Sequence, residues 1–85
     1  MKRALNVIGS TLSRLRYGKD WTQEMLSAKC SVLGVEVTRG TLAKIEAGLR
    51  GVNDAELFVL AKALKVEMSE LFPPEFKQRI EKNRR

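Results

Sequence analysis

Histidine is absent from this sequence of 85 residues, and cysteine occurs once, at Cys30. One thiol cannot close an internal disulfide, and without histidine or a second cysteine a Cys/His zinc site is excluded. The same shortage removes the common general bases and nucleophiles. The carboxylates form no cluster beyond caps and helix faces. Neither catalysis nor a metal or cofactor is therefore expected. No stretch approaches the roughly 20 apolar residues of a membrane span. The opening Met1-Lys2-Arg3-Ala4-Leu5 is basic and then apolar, but Asn6, Ser10 and Ser13 interrupt any signal-type core. A cytoplasmic protein without a membrane partner is the expectation. The two prolines stand together at Pro73-Pro74, so nothing before them breaks a helix by ring geometry.

Positive charge is what the chain has in excess. The formal net charge is +6, and it is unevenly spread. Residues 1–50 hold nine Lys/Arg against four Asp/Glu, residues 51–74 two against four, and residues 75–85 five against two. Clustered cations release counterions from phosphate, so an anionic partner fits. A solvated basic surface accounts for the same numbers equally well.

The apolar spacing reads as helices throughout. Leu5, Ile8, Leu12 and Leu15 predict one amphipathic helix over residues 4–17, stopped by Gly18 in the left-handed conformation. Thr22 starts a second, with Met25, Leu26, Cys30 and Leu33 as its inner stripe and Gly34 as terminator. Val35-Glu36-Val37 alternates like a short strand but fits a turn between two capped helices better. Thr38 caps the third helix, which turns Leu42 and Ile45 inward and ends at Gly48. Asn53 and Glu56 have the spacing of a reciprocal cap for the fourth, whose inner face is Leu57, Leu60, Ala61 and Leu64. A brief fifth helix, at residues 68–72, halts at Pro73-Pro74. The rest, with Phe76 and Ile80 four apart, adds a helical turn or two or stays frayed. The expected fold is all-α and single-domain, with a folded unit at 1–74 and a basic tail at 75–85. Cys30 reads as core, with redox sensing as the minor alternative.

The third helix carries Arg39, Thr41 and Lys44 along one polar edge, and a short capped helix of this kind can enter the DNA major groove. The series Thr22-Gln23-Glu24, Thr41-Leu42, Lys44-Ile45-Glu46-Ala47-Gly48, Leu60-Ala61-Lys62-Ala63-Leu64-Lys65-Val66 and Leu71-Phe72 resembles the phage repressor and Cro-type (XRE-like) helix-turn-helix family over residues 5–72. The resemblance implies a compact five-helix bundle that binds double-stranded DNA, usually as a homodimer on a two-fold symmetric operator. One departure stands out: between Leu26 and Thr38 the chain has about five residues more than the family pattern, so Ser31, Val32 and Leu33 lengthen the second helix and its turn.

Carried over by position, the resemblance gives Gln23 and Thr38 phosphate contacts, and Arg39, Gly40, Thr41 and Lys44 a DNA-facing surface, with Arg39 reading bases. Arg50, in a Gly-flanked loop, adds a phosphate contact. Arg16 and Glu46 stand where the family has a partly buried ion pair, and Trp21 where it has an apolar residue. Each DNA-facing residue also has a plainer reading: solvated charge for Arg39, Lys44 and Arg50, a favourable early helix residue for Gln23. The expected function is a DNA-binding transcriptional regulator, a repressor, reading an inverted repeat through a recognition helix at 38–47. The alternative is a protein-interaction module that keeps the fold without specific DNA binding and uses Leu71, Phe72, Phe76 and Ile80 as its contact.

Overall fold

In the computed structural model, which describes residues 3–83, Asn6 decides where the first helix begins. Its Oδ1 accepts from the backbone N–H of Ile8 at 2.9 Å and of Gly9 at 2.7 Å. Its Nδ2 donates to the carbonyls of Ile45 at 3.0 Å and Arg50 at 2.8 Å. Those four bonds hold the chain out of helical geometry until α1, Gly9–Gly18. The helix expected from residue 4 therefore starts five residues later, and Leu5, the first member of its apolar series, is exposed. Gly9 is buried against the last turn of the third helix; a Cβ there would sit 2.5 Å from the Ile45 carbonyl. At the other end Gly18 remains helical, and the left-handed residue is Asp20 (φ 59°), where glycine was expected to serve. Aspartate tolerates that region better than most residues.

The next elements are α2 (Gln23–Val32), α3 (Arg39–Glu46) and α4 (Asp54–Leu64). Each has a side-chain cap. Thr22 Oγ1 accepts from Met25 N–H and Thr38 Oγ1 from Thr41 N–H, both at 3.1 Å. Asn53 and Glu56 bond reciprocally at 2.8 and 3.1 Å. Inside α2 only Leu26 and Cys30 are buried; Met25 and Leu33, expected on the same stripe, face solvent. The connector to α3 is irregular, with no strand pairing. It turns at Gly34 (φ +98°), Ser27 Oγ donates to the Val37 carbonyl at 2.6 Å, and Val37 is buried.

α4 is the central helix. Val59, Leu60, Ala61, Ala63 and Leu64 are all buried, and Leu57 packs half-buried against the same cluster. Lys65 ends it in the left-handed conformation. The expected fifth helix is a single 3-10 segment, Met68–Leu71, because Phe72 must be extended ahead of the two prolines. Leu71 fills the base of the core with no exposure. Pro74 then opens α5, Pro74–Lys82, where its missing N–H is harmless. The tail thus forms a helix of nine residues, not a turn or a fray. α5 buries no residue, and Phe76 stacks on Phe72 at 5.7 Å. Among the described residues the fold is all-α with five α-helices, and no helix is long and apolar enough to cross a membrane.

Candidate nucleic-acid interface

Glu46, at the C-terminal end of α3, gathers two side chains from other helices. Arg16 of α1 donates from Nε to Oε2 at 2.8 Å and from Nη2 to Oε1 at 2.9 Å. Its Nη1 donates to the Trp21 carbonyl at 2.7 Å, so one guanidinium ties α1, the loop before α2 and α3. The pair is nearly dry, with 5% and 7% of the two side chains exposed, and the hydrogen bond to Glu46 raises the Arg16 pKa further. Gln23, the first residue of α2, donates from Nε2 to Glu46 Oε1 at 3.0 Å. The amide expected to face phosphate is thus held at the N-terminus of α2 by the same carboxylate, with one N–H left over.

Leu42 and Ile45 are fully buried, which fixes the rotation of α3 and turns Gly40, Ala43 and Lys44 to the opposite side. Arg39 and Lys44 are exposed, and the two ion pairs among the described residues, Arg16–Glu46 and Arg50–Glu56, leave both cations unpaired. Gly40 is exposed, and a Cβ built there would meet nothing within 4 Å. The protein itself has no need of the missing side chain. Thr38 is exposed at the cap, and its hydroxyl lies 3.1 Å from that of Thr41, which is half-buried. Four predicted residues therefore lie open along α3, with Thr38, Arg39 and Gly40 at its N-terminal end and Lys44 in its last turn, while Thr41 is bonded behind the cap.

Arg50 is differently occupied. Its Nη1 donates to Glu56 Oε1 at 2.8 Å and to the Gly51 carbonyl at 2.9 Å. Glu56 is buried at the start of α4, and the Arg50 bond holds its carboxyl below the usual carboxylate range although burial opposes this. Arg50 lies in the loop after α3, as expected, and is also bonded to the α4 cap.

Two residues that position the interface were not singled out from the sequence. Asn6 anchors the end of α3 through Ile45, and Ser27 anchors its entrance through Val37. The only local signal for either is a polar residue within an apolar series.

A helix-turn-helix family model matches residues 12–71, most of the chain. The chain belongs to the helix-turn-helix family, in its XRE-like branch. The matched segment of this helix-turn-helix protein starts inside α1, contains α2, α3 and α4 whole, and ends at Leu71, so α5 lies beyond it. The family is DNA-binding and regulatory, not typically enzymatic, and the chain is a DNA-binding transcription regulator of the XRE type. Among curated proteins and solved structures, none matches it.

Proposed function

We propose that the protein is a repressor that binds an inverted-repeat operator as a homodimer, inserting α3 into the major groove of each half-site. The observation that carries this reading is the open face of α3, where two unpaired cations flank a glycine with free space above it. Arg39 reads bases, because a guanidinium can make two parallel bonds to guanine O6 and N7. Thr41 and Lys44 add to specificity. Gly40 lets the backbone come close to the groove. Thr38, Gln23 and Arg50 position the protein on phosphates: Thr38 from its exposed cap, Gln23 through its remaining amide N–H, Arg50 through donors not taken by Glu56.

Dimerisation is assigned to α5 and the residues before it. Phe72 and Phe76 stack, and Ile80, one turn on, is 56% exposed. An amphipathic helix with no buried residue is an unsatisfied apolar face, and a second copy can cover it. Two recognition helices would then meet successive major grooves about 34 Å apart. Occupation of promoter DNA by such a dimer represses by exclusion.

The test is selection of bound duplexes from a random pool. An enriched inverted repeat with half-sites one helical turn apart, bound less tightly as salt rises, is expected. The same α5 face is what favours the interaction-only reading. No enrichment, with association that ignores salt, would decide for that alternative.

A further inference from the structure

α2 carries a second apolar stripe that the bundle does not use. Met25, Ala28 and Val32 follow one another at helical steps, and Leu33 comes next. Met25, Val32 and Leu33 are 44%, 86% and 53% exposed. Val32 ends α2 and Leu33 caps it, so the last turn of this helix adds apolar surface instead of core. Between this stripe and the C-terminal end of α4 lies an open groove of about 590 Å³, with Trp21 at its wall.

Its rim is basic. Lys19 and Lys29 stand on one side and Lys62 and Lys65 on the other, and none of the lining residues is acidic. The Trp21 ring orders two of these cations, with the Lys29 and Lys19 ammonium nitrogens 4.5 and 5.3 Å from its centroid. Arg39, Gly40 and Lys44 take no part in the groove, which makes it a separate surface from the open face of α3.

Charge decides what can lie here. Helix α5, from this copy or another, carries Lys77, Arg79 and Lys82 against Glu75 and Glu81, and this net positive helix is a poor complement to four lysines. Duplex DNA would satisfy the lysines but press phosphates and water against Met25, Val32 and Leu33. A helix with an apolar stripe edged by carboxylates matches both floor and rim. We propose that the groove between α2 and the C-terminal end of α4 docks an acidic amphipathic helix of a partner protein, by which the regulator recruits or is held by that partner.

The experiment uses the full chain and three synthetic helical peptides. One carries leucines at i, i+3, i+4 and i+7 flanked by glutamates; one keeps the leucines with lysines in place of the glutamates; one keeps the glutamates with serines in place of the leucines. Calorimetry gives the affinity, and the emission of Trp21, the single tryptophan, reports whether the groove is filled. The acidic leucine peptide is expected to shift Trp21 emission and to bind at least about tenfold tighter than either control. The double variant Lys29→Glu/Lys62→Glu and the variant Val32→Asp are each expected to lose about tenfold or more in affinity, as the loss of close charge or apolar partners at an interface does. All three side chains are exposed, and unchanged helical circular dichroism verifies that the variants fold. Equal binding of the control peptides, absence of binding, or variants that bind like the parent would overturn the proposal. So would a short duplex that both shifts Trp21 emission and displaces the peptide, since that assigns the groove to nucleic acid.

Discussion

Arg16 and Glu46 meet side-on through two hydrogen bonds of 2.8 and 2.9 Å, thirty residues apart in sequence and almost out of water. Because Glu46 is the last residue of α3 and also holds Gln23, this pair sets α3 against α1 and α2 at once. Removing one partner strands the other charge in a dry site. Glu46→Gln is expected to destabilise the fold by about 3 to 5 kcal/mol, and the double variant Arg16→Met/Glu46→Leu to recover much of that loss. Urea unfolding of both checks it; a double variant as unstable as the single one would mean that packing, not charge, dominates there.

Gly40→Ala separates the needs of the fold from those of the ligand. Nothing in the protein meets the new methyl group, and alanine is the better helix former, so stability should rise by up to about 1 kcal/mol. If the backbone at Gly40 approaches the groove closely, affinity for the selected operator falls in the same variant. Thermal melts and operator titrations on one preparation read both signs.

Gly9→Ala should do the opposite for stability. Its Cβ would lie 2.5 Å from the Ile45 carbonyl and 3.0 Å from that of Glu46, and both are backbone atoms that cannot swing aside. Separating α1 from α3 is expected to cost about 1 to 3 kcal/mol, the usual range for overpacking. Denaturant midpoints measure it, and a neutral outcome would contradict the tight α1–α3 approach.

Glu56 gives the protein an acid-sensitive term. Its carboxyl is held low first by the Arg50 bond, with the Asn53 N–H adding to this against the effect of burial. A depressed folded value stabilises the protein above the unfolded value, near 4.3 for glutamate, and that stabilisation disappears as pH falls through the folded value. The stability gap between the parent and Glu56→Gln is therefore widest above about pH 4.3 and closes in more acid solution. Melts over a pH series test this; a constant gap would not fit.

Cys30 is fully buried, and burial raises its pKa to about 11. A group whose proton is held more tightly in the folded state favours folding less as pH rises from the unfolded value, near 8.5 for cysteine, towards that folded value. At neutral pH the thiol should react with alkylating reagents only at the rate of opening. Labelling that follows the urea unfolding curve is the expected result, and rapid labelling of the native protein would reopen the redox reading.

The parts of this structure legible in the sequence are those decided within a few residues. Thr22, Thr38 and Asn53 each cap the helix that follows, and the bonds concerned span three residues. At the start of α1, the bonds from Ile8 and Gly9 N–H to Asn6 are as local as those caps, but the bonds Asn6 donates to carbonyls 39 and 44 residues away carry no signal in the sequence nearby. Periodicity placed Met25 and Leu33 on an apolar face of α2, but spacing alone cannot say which of two apolar faces meets the core. The helical tail was obscured because Pro74 reads as a stop for the element before it and serves equally well as a start for α5. At the interface, the exposure of Arg39 and Lys44 followed from the pattern around Leu42 and Ile45. The engagement of Arg50 by Glu56 depended on where the loop after α3 meets the start of α4, and no local signal carries that.

The measurement closest to the central claim compares the parent and Arg39→Ala on the selected operator and on operators with single base pairs changed. Arg39→Ala is expected to lose about 1 to 3 kcal/mol on the operator, and to stop discriminating at one position while still discriminating at the others. Its fold should be intact, since the side chain is exposed and unpaired. An Arg39→Ala protein that binds every operator as the parent does would contradict the claim that the open end of α3 reads DNA sequence.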